Sequence, residues 1–126
     1  MSPVFVIFAM IFLHVLDDFF LQSCGFLARG KQREWWNKEA HDEKYRYDYL
    51  ACLFMHGMSW AFMIMLPLAW YYDFNVDLSF GILMCINAFL HMFVDDLKAN
   101  QHVFNLIQDQ TIHMCQIVGT FILVML

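Results

Sequence analysis

Three His–Asp pairs in this chain are spaced four residues apart: His14 with Asp18, His91 with Asp95, and Asp109 with His113. Residues four apart lie on one face of a helix, so each pair would present an imidazole nitrogen beside a carboxylate oxygen. A fourth histidine, His56, stands alone in another apolar stretch. Neutral imidazole with carboxylate suits a divalent metal, zinc first, with iron or manganese as the alternatives. The expected ligand set is His14, Asp18, His56, His91, Asp95, Asp109 and His113. Seven donors exceed the four of one closed tetrahedral site, so either two ions bind, or one binds and the surplus groups serve it from behind. Asp17 and Asp96 neighbour the pairs and point about 100° away on a regular helix. A spare aspartate of this kind is the expected general base, and Lys98, one turn beyond Asp95, the expected binder of an anionic headgroup. Asp17, Asp96 and Lys98 are thus the expected catalytic residues. His41 and His102 lie in connections and receive no role.

The elements that must position these groups are apolar helices. Of 126 residues, 61% are apolar and only 15% charged, which leaves too little polar surface to cover a soluble domain. A membrane-spanning helix needs about 20 mainly apolar residues. Four stretches qualify, at about 3–22, 48–72, 78–98 and 103–126, in a single transmembrane domain of residues 1–126. Ser2 is the expected N-cap of the first, with Pro3 at its first helical position. Between the first two lies a polar segment, residues 25–47, with Arg29, Lys31, Arg33, Lys38, Lys44 and Arg46 among Trp35, Trp36 and tyrosines. Basic residues mixed with aromatic rings suit the headgroup layer, so this segment is expected to be partly helical and to lie on the membrane surface as a solvated anchor. The fold expected is an all-α integral membrane protein: a four-transmembrane-helix bundle with a short cytoplasmic interfacial segment between the first two helices.

Basic residues favour the cytoplasmic side, which places that segment and the short connection after Lys98 inside, and the acidic loop YDFNVD and both termini outside. Counting from the cytoplasmic ends, all four intramembrane histidines fall roughly 10–15 Å deep. Four independent segments thus carry the same chemistry at one level. For a single histidine, interhelical hydrogen bonding is the more ordinary explanation. The matched depth of four moves the balance to metal, since intramembrane ionisable groups mark functional sites. The net charge of −5, with basic residues that form no stripe, does not suit a nucleic-acid partner. Cys24, Cys52, Cys85 and Cys115 form no C-x-x-C pair and are expected as small buried apolar residues. The aspartates of the first apolar stretch make it a poor signal peptide.

The strings HVLDDFFLQ, HMFVDDLK and DQTIH resemble, in that order, the signatures H-x-x-x-D-F-x-x-Q, H-x-x-x-D-x-x-K and D-Q-x-x-H of the small bacterial and phage membrane proteins grouped as Domain of Unknown Function 3307. The resemblance spans nearly the whole chain, least in residues 25–47. It implies that His14, Asp18, Gln22, His91, Asp95, Lys98, Asp109, Gln110 and His113 belong to a shared pattern, and a location in the bacterial inner membrane. Asp17 departs from it, where a small residue is usual. The family's name carries no activity.

The function expected is that of a metal-dependent membrane hydrolase acting on a lipid or lipid-linked substrate from the cytoplasmic leaflet. No G-x-S-x-G, H-E-x-x-H or phosphate-loop motif is present to support a serine hydrolase, a zincin or a P-loop enzyme. The alternatives are a metal or proton transport component, which the apolar outer halves FVIFAM, FMIML and GTFILVML disfavour, and a non-enzymatic phage or host membrane-interaction protein. Partners are membrane lipid, with a homo-oligomer or a membrane protein open. The topology makes a direct prediction: a cysteine placed at Lys38 should be labelled by an impermeant maleimide only from the cytoplasmic side. Labelling from outside would invert the side of the site.

Overall fold

The computed structural model describes residues 1–23 and 25–126, and Cys24 lies outside the described residues. The chain is helical, with no strand among the described residues. Helix α1 (Pro3–Val15) runs on as a wider π-helical turn, Leu16–Leu21. Two short helices follow, α2 (Phe26–Gly30) and α3 (Arg33–Glu39), then three long ones, α4 (Asp48–Tyr71), α5 (Leu78–Ala99) and α6 (Leu106–Met125). Ser2 caps α1 as its sequence predicts, its Oγ accepting from the Phe5 N–H at 3.2 Å, with Pro3 in the first turn. Helix α6 begins later than expected. Asn105 is its N-cap, accepting from Gln108 N at 2.9 Å while Gln108 Oε1 accepts from Asn105 N at 3.1 Å. This N-x-x-Q capping box fixes the start of α6 after the expected position near 103.

Three helical stretches, Pro3–Leu21, Glu43–Tyr71 and Leu78–Ala99, are long and apolar enough to cross a membrane. Helix α6 has 20 residues but carries Gln108, Asp109, Gln110, His113 and Gln116. Helix α4 packs against α1 and α5, and α6 packs against α5 and α1. Neighbours run antiparallel: His14 meets Trp60 and Asp18 meets His56, Asn87 meets Met65 and Asp95 meets His56, and Asn87 meets Gln116 while Lys98 meets Asp109. The core is apolar at one end, built on Val6, Met10, Ile64, Met65, Leu68 and Ile117. Outward faces are apolar as well, including Phe8, Phe12, Phe62, Phe89, Phe93 and Leu123. Buried polar side chains are instead gathered between the helices. Cys52 is buried, as expected, but Cys85 and Cys115 lie on outward faces, which the thiol's tolerance of apolar surroundings permits.

Helices α4 and α5 approach closely because Gly57 lacks a side chain. A Cβ at that position would stand 2.6 Å from the Ala88 carbonyl oxygen, a backbone atom that cannot swing aside. His56, one residue earlier, is thereby carried up against α5. Gly57→Ala should therefore lower thermal stability in detergent by about 1–3 kcal/mol. Gly81→Ala, where a Cβ would meet nothing within 4 Å, should leave it unchanged or gain up to about 1 kcal/mol. Equal melting temperatures for the two variants would contradict the close approach.

Candidate metal centre

On a regular helix Asp17 and Asp18 could not both face the same interior. The π-helical turn changes this: Gln22 N donates to Asp17 O, five residues back, at 2.9 Å. A wider turn reduces the angle between neighbours, and such turns recur at functional sites. Asp17 and Asp18 therefore both point inward. Asp17 is buried, its Oδ1 accepting from Ser59 Oγ at 2.8 Å and from Gln22 Nε2 at 3.3 Å. Asp18 reaches further along, toward the histidines of α4 and α5.

Two donor groups meet there. In the first, His56 Nε2 lies 3.4 Å from Asp18 Oδ1, 2.8 Å from Asp95 Oδ2 and 3.0 Å from His91 Nε2. His91 Nε2 lies 3.8 Å from Asp18 Oδ1 and 3.9 Å from Asp95 Oδ2. In the second, His113 Nε2 lies 3.2 Å from Asp109 Oδ1 and 3.6 Å from Asp95 Oδ1. Ligand atoms of Asp18, Asp109 and His113 can also be chosen within 4.8 Å of one another. His56, His91, Asp95, Asp109 and His113 are all at most 1% exposed.

Trp60, His14 and Gln110 hold this arrangement from behind. Trp60 Nε1 donates to His14 Nδ1 at 2.7 Å, and an indole nitrogen can only donate. The His14 proton therefore sits on Nε2, which donates to Gln110 Oε1 at 2.9 Å. Gln110 Nε2 in turn donates to Asp18 Oδ2 at 2.9 Å and to Asp109 Oδ2 at 3.0 Å. Both nitrogens of His14 are thus engaged, so this expected ligand stands behind the donor set and orients two of its carboxylates. The Trp60 ring also stacks on His91, centroids 4.2 Å apart, and His91 stacks on His113 at 4.1 Å. Neither Trp60 nor Ser59 is distinguishable in sequence from ordinary helix residues. Gln110 was present in the D-Q-x-x-H string.

Two lysines close the open end. Lys98 Nζ pairs with Asp109 Oδ2 at 2.9 Å, so it is part of the cluster rather than free above it. Lys31 Nζ pairs with Asp95 Oδ2 at 2.8 Å, with its side chain 15% exposed. The segment of residues 25–47 is therefore more than the solvated anchor expected. Asn100 helps to fix it, donating from Nδ2 to Lys31 O at 3.0 Å and accepting from Arg33 N at 2.7 Å. Gly30 makes room for α2 on α4, since a Cβ there would meet Cys52 Sγ at 2.6 Å. Asp96 is not brought to the cluster. Its carboxylate accepts from Asn100 Nδ2 at 2.7 Å and Gln101 Nε2 at 3.0 Å, and it stabilises the turn that ends α5.

A second polar layer lies deeper. Asn87 and Thr120 hydrogen-bond at 2.9 Å, and Gln116 Nε2 donates to Asn87 O at 2.8 Å and Oδ1 at 3.0 Å.

The residues present fit a divalent cation. Among the described residues, buried Asp95 Oδ1, Asp109 Oδ1 and His113 Nε2 have no hydrogen-bond partner, with His113 Nε2 3.2 Å from Asp109 Oδ1 and 3.6 Å from Asp95 Oδ1. Carboxylate oxygens accept only, so a cation, or a proton on His113, must answer them. Buried polar atoms without partners cost about 1–3 kcal/mol each, and a shared cation relieves several at once. Asp18, His56, His91, Asp95, Asp109 and His113 could hold an ion, in overlapping groups of three. Comparison with family models, curated proteins and solved structures finds no match.

Trp60→Phe keeps the ring stacked on His91 and removes only the N–H that His14 uses. It should cost about 1–3 kcal/mol in a thermal melt, because a buried acceptor loses its donor. A melting temperature equal to that of the wild type would mean that His14 is not held through Trp60.

Proposed function

We propose that this chain is a metal-dependent membrane hydrolase, with four transmembrane helices and its site opening to the cytoplasmic leaflet. The observation that carries the reading is the convergence of six buried imidazole and carboxylate side chains, several with unpartnered donor atoms, beneath two partly exposed lysines. Helix α6 is the fourth span, with Asp109, Gln110, His113 and Gln116 turned into the bundle, and both termini lie outside. The resemblance to Domain of Unknown Function 3307 agrees with this placement, since its shared positions include His91, Asp95, Asp109, Gln110 and His113.

A divalent ion in this donor set would supply Lewis acidity. Asp18, His56, His91, Asp95, Asp109 and His113 would hold it, and Gln110 keeps two of the carboxylates oriented. Asp17 retains one buried oxygen, Oδ2, without a partner and is the aspartate left to take a proton. Lys31 and Lys98 stand where an anionic lipid or lipid-linked group would approach. Apolar outward faces on the same helices suit a substrate that arrives through the bilayer.

Transport is the second reading. The Asn87–Gln116–Thr120 layer favours it, because polar groups continue past the histidines toward the outer half. Ion flux into liposomes separates the two.

Protein purified in detergent without chelator should contain zinc, iron or manganese, and EDTA should lower its melting temperature. An ion that binds only the folded state adds about 2.7 kcal/mol when free ion exceeds Kd a hundredfold. His91→Ala should lose the metal and make the melt indifferent to EDTA. The metal-loaded wild type should release water-soluble or deacylated products from vesicles of phosphatidylglycerol and phosphatidylethanolamine, read by mass spectrometry, or from a lipid-linked pyrophosphate. Wild-type protein with no tightly held metal and a melt unmoved by EDTA would overturn the reading.

A further inference from the structure

The two donor groups are not equivalent views of one site, because they use different oxygens of Asp95. Oδ2 faces the first, 2.8 Å from His56 Nε2 and 3.9 Å from His91 Nε2. Oδ1 faces the second, 3.6 Å from His113 Nε2. Ligand atoms around a tetrahedral ion with bonds of 2.0–2.2 Å stand about 3.3–3.6 Å apart. The measured separations in the first group run from 2.8 to 3.9 Å and bracket that spacing. Those in the second, 3.2 and 3.6 Å, bracket it as well.

One ion on Asp18, His56 and His91, with Asp95 Oδ2 2.8 Å from His56 Nε2 beside it, draws its donors from that side of the cluster. It would leave His113 Nε2, Asp109 Oδ1 and Asp95 Oδ1 buried and unpartnered, as they are without it. A single ion therefore does not answer the second group. We infer that the cluster is a dinuclear centre in which Asp95 bridges two divalent ions, one on His56 and His91, the other on His113 and Asp109. Asp18 lies within reach of His56 and His91 and, separately, of Asp109 and His113, so it borders both ions. This rests on the proposal that the cluster binds metal, and extends it to the number of ions and their division.

The test uses the full chain in detergent, stripped with chelator, reloaded with Zn²⁺ or Mn²⁺ and desalted. Two ions per chain are expected by elemental analysis. The Mn²⁺ form should give a broadened, exchange-coupled electron paramagnetic resonance spectrum, since carboxylate-bridged ions lie about 3.5–4 Å apart. His56→Ala and His113→Ala should each fall to one ion per chain and recover the six-line spectrum of isolated Mn²⁺. One ion in the wild type would overturn the dinuclear centre and leave the metal-dependent reading standing. No ion in the wild type would end both. Two ions with an uncoupled spectrum would overturn the bridge through Asp95. If both alanine variants fail to fold, the wild-type stoichiometry and spectrum still decide.

Discussion

Asp95 is a carboxylate with no exposure, in a helix whose other faces are apolar, and the arrangement around it follows from that constraint. A buried charge without compensation costs several kcal/mol or more, so groups that can neutralise or bind it must be brought in from other elements. Lys31 comes from the C-cap of α2, His56 from α4 and His113 from α6, each within 4 Å of one of its oxygens. The close passage of α4 over α5 at Gly57 serves the same end, because it carries His56 to Asp95. The surface segment is drawn in as well: without Lys31 in contact with Asp95, nothing comparable ties α2 to the cluster.

Polarity in this molecule is inverted relative to a soluble bundle. Phenylalanines, leucines and isoleucines face outward, while imidazoles, carboxylates and amides fill the interior at one end. In the bilayer we propose for it, apolar surface would gain little by burial, and side-chain packing and interhelical polar contacts would hold the helices together. The Trp60–His14–Gln110 chain, the stacked His91 and His113 rings and the Asn87–Thr120 pair supply them. The same contacts limit where each imidazole can point. A site built this way is preorganised because the groups that position it are those that join the helices.

The helix faces and the common level of the histidines along the bundle were legible in the sequence. Four-residue spacing is a local property of any helix, and level can be counted along each segment from its own end. Hence His91, Asp95, Asp109 and His113 meet as their spacing implied, and His56 joins them although it has no partner on its own helix. The N-cap at Ser2 was legible for the same reason.

What tertiary structure alone decided were the roles that depend on residues distant in sequence. His14 has the same spacing to Asp18 as His91 has to Asp95, yet its ring is taken by Trp60 and by Gln110, 96 residues away, and it becomes a support. Lys31 reads as one of six basic residues in a surface segment, and only the fold, across 64 residues, sets it on Asp95. Asp17 faces inward because the backbone widens by one residue per turn at Leu16–Leu21, a departure that no periodic pattern announces. Periodicity specifies which residues share a face. Which atom on that face reaches which partner depends on helix packing, and in this chain that means where a glycine lets two backbones meet and where a turn widens.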